Sequence, residues 1–225
     1  MKATYFEYHH QTLLHLLLVG LAVATYFLDQ DDIVWASVRH HTNSAFLEQV
    51  AFGVGTLILL ICAALETWAS AYPLPAVPSF GHVISCDGPY RYLQYPLLLS
   101  RLLFALVLGL LVPLPGTILL IGGEALLAFR LVVRDRDSLG ADRWQEYRAA
   151  VPLMIPALHP RFPLRGVEAS WGEAFRWAAS KWGLTASMIV FTLTLRDRIA
   201  EIGGGISFLI WLALNFSRVV GSHDS

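Results

Sequence analysis

Charge is what this chain has least of. Only 15% of its 225 residues are Asp, Glu, Lys or Arg, against roughly 25% in soluble globular domains, while 56% are hydrophobic. The formal net charge is -1 and no basic stripe stands out, which argues against nucleic acid as a partner. Cysteine is almost missing. Cys62 lies inside an apolar run and Cys86 beside a polar loop, and neither belongs to a CxxC pair, so neither a disulfide framework nor a zinc site is expected. The histidines His9, His10, His15, His40 and His41 have no ligand spacing, so no metal is expected. There is no Ser/His/Asp set, P-loop or dinucleotide-binding fingerprint. Internal repeats and low-complexity segments are also missing.

What the chain has instead is long apolar runs, with a mean hydropathy of +0.55. Six can be marked: Thr12–Leu28, Phe46–Tyr72, Pro96–Leu114, Gly116–Val133, a weaker Trp182–Leu195, and Ile202–Val220. Most approach the roughly 20 residues that cross a bilayer. Asp29, Asp31 and Asp32 follow the first run where a signal peptide would have a small-residue cleavage site, so it reads as a retained span. The prediction is an all-α polytopic membrane protein with about five to six transmembrane helices. It forms one membrane domain in three parts: N-terminal spans over 1–72, a core over 73–157, and an interfacial helix with C-terminal spans over 158–225.

Val112-Pro113-Leu114-Pro115-Gly116 reads as a tight turn that folds the third and fourth runs into an antiparallel hairpin. Both outer ends of that hairpin then lie on one face of the membrane. The stretch 134–181 on that face carries Arg134, Arg136, Arg143, Arg148, Arg161, Arg165, Arg176 and Lys181, whereas 29–43 carries three aspartates and only Arg39. The positive-inside rule makes the arginine-rich face cytoplasmic and, with six spans, puts both termini there. Arg196 and Arg198 run against this rule and open a second reading, in which the fifth run is interfacial. Ser170-Trp171-Gly172-Glu173 has capping-box spacing. Trp171, Phe175, Ala178 and Trp182 follow at helical spacing, as either a helix at the headgroups or an ordinary packed helix start.

Four features sit on or near the arginine-rich face. The first is the proline-bounded loop Asp87-Gly88-Pro89-Tyr90-Arg91-Tyr92-Leu93-Gln94-Tyr95-Pro96. Its tyrosines offer ring faces and hydroxyls, and Arg91 a planar cation for a carboxylate or phosphate. The competing reading is an interfacial aromatic belt. The second is Phe129–Asp137, where signs alternate through Arg130, Arg134, Asp135, Arg136 and Asp137, as a solvated helix end or a polar wall facing the loop. The third is Arg101 and Glu124, ionisable groups inside apolar runs and the candidate catalytic residues. Arg101 is close enough to the interface to snorkel, and Glu124 lies nearer mid-span, protonated or bonded to a neighbouring helix. The fourth is an amphipathic stretch from Leu139 through Trp144 and Tyr147 to the proline-bracketed Val151-Pro152-Leu153-Met154-Ile155-Pro156.

In order, these features resemble the isoprenylcysteine carboxyl methyltransferase and phospholipid methyltransferase superfamily of membrane enzymes. Its pattern runs G-P-Y-R-Y-x-R-H-P, a helical hairpin, R-I-x-x-E-E-x-x-L, F-G-x-x-Y-x-x-Y and V-P-x-x-I-P. Here these become Gly88 to Pro96, then Arg130-Leu131 with Arg134-Asp135 and Leu139, then Leu139-Gly140, Trp144, Tyr147 and Val151 to Pro156. Trp68-Ala69 resembles the family's W-A pair, and the likeness covers about 66–156. Gln94-Tyr95 stands for the family's Arg-His, and Arg134-Asp135 for its Glu-Glu. A one-residue slip pairs Asp135-Arg136 with the Glu-Glu instead.

The resemblance implies S-adenosylmethionine bound between loop and acidic motif, by Gly88, Pro89, Tyr90, Arg91, Tyr92, Gln94, Tyr95, Arg130, Arg134 and Asp135. Arg91 would serve the cofactor carboxylate, Asp135 its ribose or amine, and Tyr90, Tyr92 or Tyr95 its ring. It also implies direct methyl transfer to a lipid-like or prenylated acceptor from the bilayer. Such a displacement requires orientation and exclusion of water rather than a protein nucleophile. Two other readings stay open: a catalytically degenerate relative that binds a lipid or partner, and a sterol-type reductase using NADPH.

Overall fold

The computed structural model describes residues 3–28, 45–73, 86–138, 141–162, 164, 166–194 and five positions between 202 and 209. Among them every element is helical, as the apolar runs predict. In chain order these are α1 (Tyr5–His9), α2 (Gln11–Ala24), α3 (Ala45–Ser70), α4 (Pro96–Leu110), α5 (Leu114–Ser138), α6 (Ala141–Ala150) and α7 (Trp171–Thr194). A 3-10 turn at Thr25–Phe27 ends α2, and a second at Gly88–Arg91 precedes α4.

Two helices are long and apolar enough to cross a membrane, over Phe46–Ser70 and Leu114–Asp135, while Gln11–Phe27 and Pro96–Leu110 are shorter apolar helices. The described residues thus carry two such helices rather than five or six. The sixth apolar run, apart from five positions, lies outside the described residues. So do the aspartate-rich 29–43 segment, Leu139-Gly140, Arg165, Arg196 and Arg198.

The predicted hairpin is present. α4 and α5 pack antiparallel through Leu111–Pro113, and α5 starts at Leu114, so Pro115 sits in its first turn, where a missing N–H costs little. Thr117 Oγ1 donates back to the carbonyl of Gly109 and closes the corner. The end of α2 lies against the same corner, where the Tyr26 hydroxyl donates to the Leu111 carbonyl at 2.5 Å. This approach requires Gly116, because a Cβ there would meet Thr25 Oγ1 and, at 2.7 Å, the Ala22 carbonyl.

One expectation changes. The headgroup helix from Trp171 and the fifth apolar run are a single continuous helix, α7. Its buried residues Ala174, Ala178, Lys181, Thr185 and Met188 recur at alternating spacings of four and three, which makes one stripe that no proline interrupts. This stripe packs on α3. Phe191 meets Phe52 with ring centroids 4.8 Å apart, Thr192 meets Thr56 at 3.1 Å, and Trp182 Nε1 donates to Thr67 Oγ1 at 2.9 Å. The residues expected on one face divide: Ala178 is buried and Trp182 half-buried, whereas Trp171 and Phe175 are exposed.

The helices alternate in direction. One end of the bundle gathers the starts of α2, α4 and α7 and the finishes of α3 and α5, tied by Ala3 N to the Arg130 carbonyl (3.1 Å) and Ser170 N to the Ala71 carbonyl (2.8 Å). The Gly88–Tyr95 loop lies at this end, as the hairpin geometry predicts. Outward faces are apolar, with Leu17, Val54, Leu57, Ile118, Phe129 and Leu193 exposed. Charged groups are buried within, the reverse of a water-soluble bundle.

Candidate functional site

The loop is built to be rigid. Gly88 has φ +57°, and a Cβ there would clash with the Tyr72 ring, so only glycine fits. Pro89 is the second residue of the 3-10 turn, and its carbonyl accepts from Tyr92 N (2.9 Å) and Leu93 N (3.0 Å). The rest of the loop is bonded to 147–162. The Tyr147 hydroxyl donates to the Tyr90 carbonyl at 2.7 Å. Gln94 N donates to the Pro152 carbonyl at 2.9 Å, and Gln94 Nε2 to the carbonyls of Val151 (2.5 Å) and Arg148 (3.1 Å). In return Ala157 N donates to the Tyr92 carbonyl and Arg161 N to that of Arg91, while Arg91 Nε donates to the Phe162 carbonyl at 2.6 Å. The Asp87 carboxylate, buried behind the turn, accepts from Gly166 N (3.2 Å) and Val167 N (3.1 Å).

Ala69, Cys86, Tyr90, Tyr147, Val151 and Phe162 form the apolar layer beneath this scaffold. Burial pushes the Cys86 thiol up to about 11. Burial likewise raises the phenols of Tyr90 and Tyr147, so all three stay protonated at neutral pH.

The bonds that hold the loop leave particular groups unspent. The Nη atoms of Arg91 and the hydroxyls of Tyr90 and Tyr92 have no hydrogen-bond partner among the described residues. The Tyr92 ring lies 5.8 Å from Trp68, and Tyr95 packs against the layer of Leu98, Leu127, Leu131 and Val132. Gln94, by contrast, spends its amide nitrogen on holding the 148–152 backbone.

The other residues of the implied cofactor set are drawn toward the N-terminus. Thr4 and Glu7 form a reciprocal capping box that starts α1, which the sequence reading did not mark. Arg130 Nη2 donates to Glu7 Oε2 at 2.8 Å. Arg134 Nη1 donates to the Ala3 carbonyl at 3.0 Å, and its guanidinium lies 5.0 Å from the Tyr8 ring centroid. Arg148 Nη2 donates to the Asp135 carbonyl at 3.1 Å and links α6 to the end of α5. Arg130 and Arg134 thus meet residues 3–8, while Gly88 to Gln94 meet residues 147–162.

Beneath the loop, all five long helices contribute to a buried polar cluster. Lys181 on α7 is ion-paired to Glu66 on α3, and its Nζ is 3.0 Å from Ser100 Oγ on α4. Ser100 Oγ also reaches the Cys62 carbonyl (3.0 Å) and Glu66 Oε2 (3.2 Å). Arg101 Nη1 donates to Gln11 Oε1 on α2 at 2.9 Å. His15 Nδ1 on α2 is 2.6 Å from Glu124 Oε1 on α5. Phe104 lies between the two pairs, its ring centroid 5.0 Å from Lys181 Nζ and 5.8 Å from the His15 ring. Arg101 lies within the electrostatic reach of both Glu66 and Glu124.

The two candidate catalytic residues, Arg101 and Glu124, therefore belong to one cluster. Sequence reasoning missed Glu66, Ser100, Lys181 and His15. Lys181, counted with the cytoplasmic charges, is buried inside the bundle.

No family model, curated protein or solved structure matches the chain. The loop end offers a guanidinium fixed through Nε and the hydroxyls of Tyr90 and Tyr92. The cluster offers two acidic and two basic side chains and an imidazole 2.6 Å from Glu124 Oε1.

Proposed function

We propose that the chain is a membrane-embedded S-adenosylmethionine-dependent methyltransferase that acts on an amphiphilic acceptor. The observation that carries this reading is the anchored loop. Arg91 and Tyr92 are fixed through Nε and backbone groups, while the Arg91 Nη atoms and the Tyr92 hydroxyl stay unspent. Donors held in place before a ligand arrives lose little entropy when it binds. Two motifs of the resemblance, far apart in sequence, meet here through Gln94, Val151 and Pro152.

These groups fit the proposed cofactor. The Arg91 fork suits a carboxylate, the Tyr90 and Tyr92 hydroxyls suit polar atoms of an amine or ribose, and the rings of Tyr92 and Trp68 suit an adenine face. When bound, the cofactor would supply an electrophilic methyl group on a sulfonium. The chain's part is to hold it, align the acceptor and exclude water. In this reading α2, α3, α4, α5 and α7 lie in the bilayer with apolar faces outward, and the loop end faces the cytoplasm with both termini. The acceptor is a lipid-like or prenylated molecule that enters from the bilayer.

The test is calorimetric titration of the detergent-purified chain with S-adenosylhomocysteine. Binding is expected, and Arg91→Ala should weaken it by about 10–100-fold through loss of a charge-assisted contact. No binding at millimolar ligand overturns the reading. One observation favours a binding relative without catalysis instead: the Gln94 amide is consumed by backbone carbonyls where the family pattern has histidine. Stabilisation by NADPH in place of S-adenosylhomocysteine would favour the reductase.

A further inference from the structure

An ion-paired cluster buried among apolar helices is expensive, and apolar side chains of similar volume hold helices together as well or better. Stability therefore does not explain it. Within the cluster the Lys181–Glu66 pair and Ser100 largely satisfy one another. The His15–Glu124 pair does not close in the same way. Its carboxyl group is 3% exposed and lies 2.6 Å from Nδ1, so Nε2 is the ring nitrogen turned away from it. His15 Nε2 has no hydrogen-bond partner among the described residues, and its side chain is 12% exposed. A carboxylate on Nδ1 and an open Nε2 are what orient an imidazole to receive a proton.

The surroundings suit that task. Glu124 on α5 and Glu66 on α3 are the acids within electrostatic reach of His15, Arg101 on α4 is the cation coupled to both, and Lys181 on α7 lies across Phe104. Gln11, one turn before His15 on α2, holds Arg101. Two acidic and two basic side chains thus stand around the imidazole. An imidazolium formed there would face Glu124 directly.

We propose that His15, oriented by Glu124, is the base for methyl transfer, and that its acceptor is an amphiphile whose nucleophilic nitrogen, oxygen or sulfur still carries a proton. This rests on the methyltransferase reading above. A carboxylate acceptor, already deprotonated at neutral pH, would have no use for such a base. In the step, the acceptor heteroatom bonds to the methyl carbon as that carbon's bond to the sulfonium sulfur breaks, and the electron pair leaves with sulfur. The proton on the heteroatom passes to His15 Nε2, the electrons of that bond stay with the heteroatom, and the proton is later released to water. His15 is the catalytic residue and Glu124 a positioning residue.

The experiment uses the full chain in detergent micelles with nitrogen-15-labelled histidine. Nitrogen shifts should report His15 as the Nδ1–H tautomer, and Glu124→Leu should release it to the Nε2–H form. An Nε2–H tautomer in the parent chain overturns the proposal. With S-adenosylmethionine carrying a tritiated methyl group, the probes are dodecylamine, 4-nonylphenol, dodecanethiol and lauric acid. Label should enter one of the first three. His15→Gln should lower kcat by about 10²–10⁴-fold, with S-adenosylhomocysteine affinity within about twofold of the parent. Methylation of lauric acid alone, of none of the probes by a chain that binds S-adenosylhomocysteine, or unchanged turnover in His15→Gln overturns it. Failure of the parent chain to bind S-adenosylhomocysteine strikes the methyltransferase reading instead, and the tautomer result then stands as a statement about the dyad.

Discussion

Removing either partner of the Lys181–Glu66 pair should destabilise the bundle, and the two removals should cost different amounts. The Lys181 side chain is 6% exposed and that of Glu66 18%, and each also reaches Ser100. Glu66→Leu leaves the Lys181 ammonium with Ser100 Oγ as its remaining bonded partner, an uncompensated buried charge that costs about 3–5 kcal/mol. Lys181→Met leaves Glu66 more exposed, still accepting from Ser100 and within reach of Arg101 and His15. That loss is closer to one charged hydrogen bond, about 1.5–3 kcal/mol. Replacing both removes the burial penalty with the attraction, so Glu66→Leu/Lys181→Met should lie within about 1 kcal/mol of the parent. For a chain of this size, 1 kcal/mol moves Tm by about 2–4 °C. Thermal unfolding in detergent should therefore drop by about 10 °C for Glu66→Leu, about 5 °C for Lys181→Met and no more than about 3 °C for the double variant. A double variant as unstable as the sum of the singles would refute the pairing. Two singles indistinguishable from the parent would show that water, not Lys181, neutralises Glu66.

Further predictions concern the loop end and the N-terminus. Gly88→Ala forces a Cβ into the Tyr72 ring at φ +57° and should cost about 1–3 kcal/mol, read as a lower Tm with faster proteolysis around 88–95. Cys86 has its thiol raised from 9.0 to about 11 by burial, so its contribution to stability is complete below pH 9 and is lost as pH rises through 11. Cys86→Ser should flatten that part of the pH–stability curve, and equal alkaline loss in both proteins would count against burial as the cause. Glu7 is held below its ordinary 4.5 by the Thr4 backbone N–H it accepts from, ahead of Arg130. Its contribution is present above pH 4.5 and lost as pH falls through the lowered value, so the amides of Ala3 and Glu7 should lose hydrogen-exchange protection on acidification, and Glu7→Gln should abolish that dependence. Protection that persists unchanged to pH 2.5 would disprove the ion pair's role.

The parts of the fold legible in the sequence are those written in contiguous residues. Val112-Pro113 between two apolar runs is enough to place the hairpin, and Gly88-Pro89 enough to place a turn. The extent of α7 was hidden because its buried stripe mixes Ala174 and Ala178 with Lys181 and Thr185, a pattern that a hydropathy scan does not register. The cluster was half legible for a related reason. Arg101 and Glu124 stand out as charges inside apolar runs, and the same rule, applied to the second run, would have caught Glu66. His15 has no local signal beyond the lack of ligand spacing, and its partner lies 109 positions away. Lys181 sits one residue before the fifth apolar run, inside a helix that starts ten residues earlier at Trp171. The resemblance places Arg130 and Arg134 beside the loop, whereas Glu7 and Ala3, which they bond, are 123 and 131 positions distant. Interhelical register decides such pairs, and a single sequence does not encode it in any local pattern.

The loop and the cluster are mechanically one unit, which gives the rigidity of the loop a purpose beyond its own residues. Pro96 starts α4 directly after Tyr95, and Ser100 and Arg101 follow only about 6–8 Å along the helix axis at 1.5 Å per residue. The bonds from Gln94 to Arg148, Val151 and Pro152 fix where α4 begins. They therefore also fix where Ser100 meets Lys181 and Glu66 and where Arg101 meets Gln11. Gln11 in turn lies one turn before His15. A displacement at the loop would be felt first at Arg101 and next, through α2, at the His15–Glu124 pair. In the methyltransferase reading, such hydrogen bonds would help to hold two reactants in line without a protein nucleophile. It also makes the Gln94 amide, which the family pattern would assign to cofactor contact, the hinge pin between the loop and the buried charges.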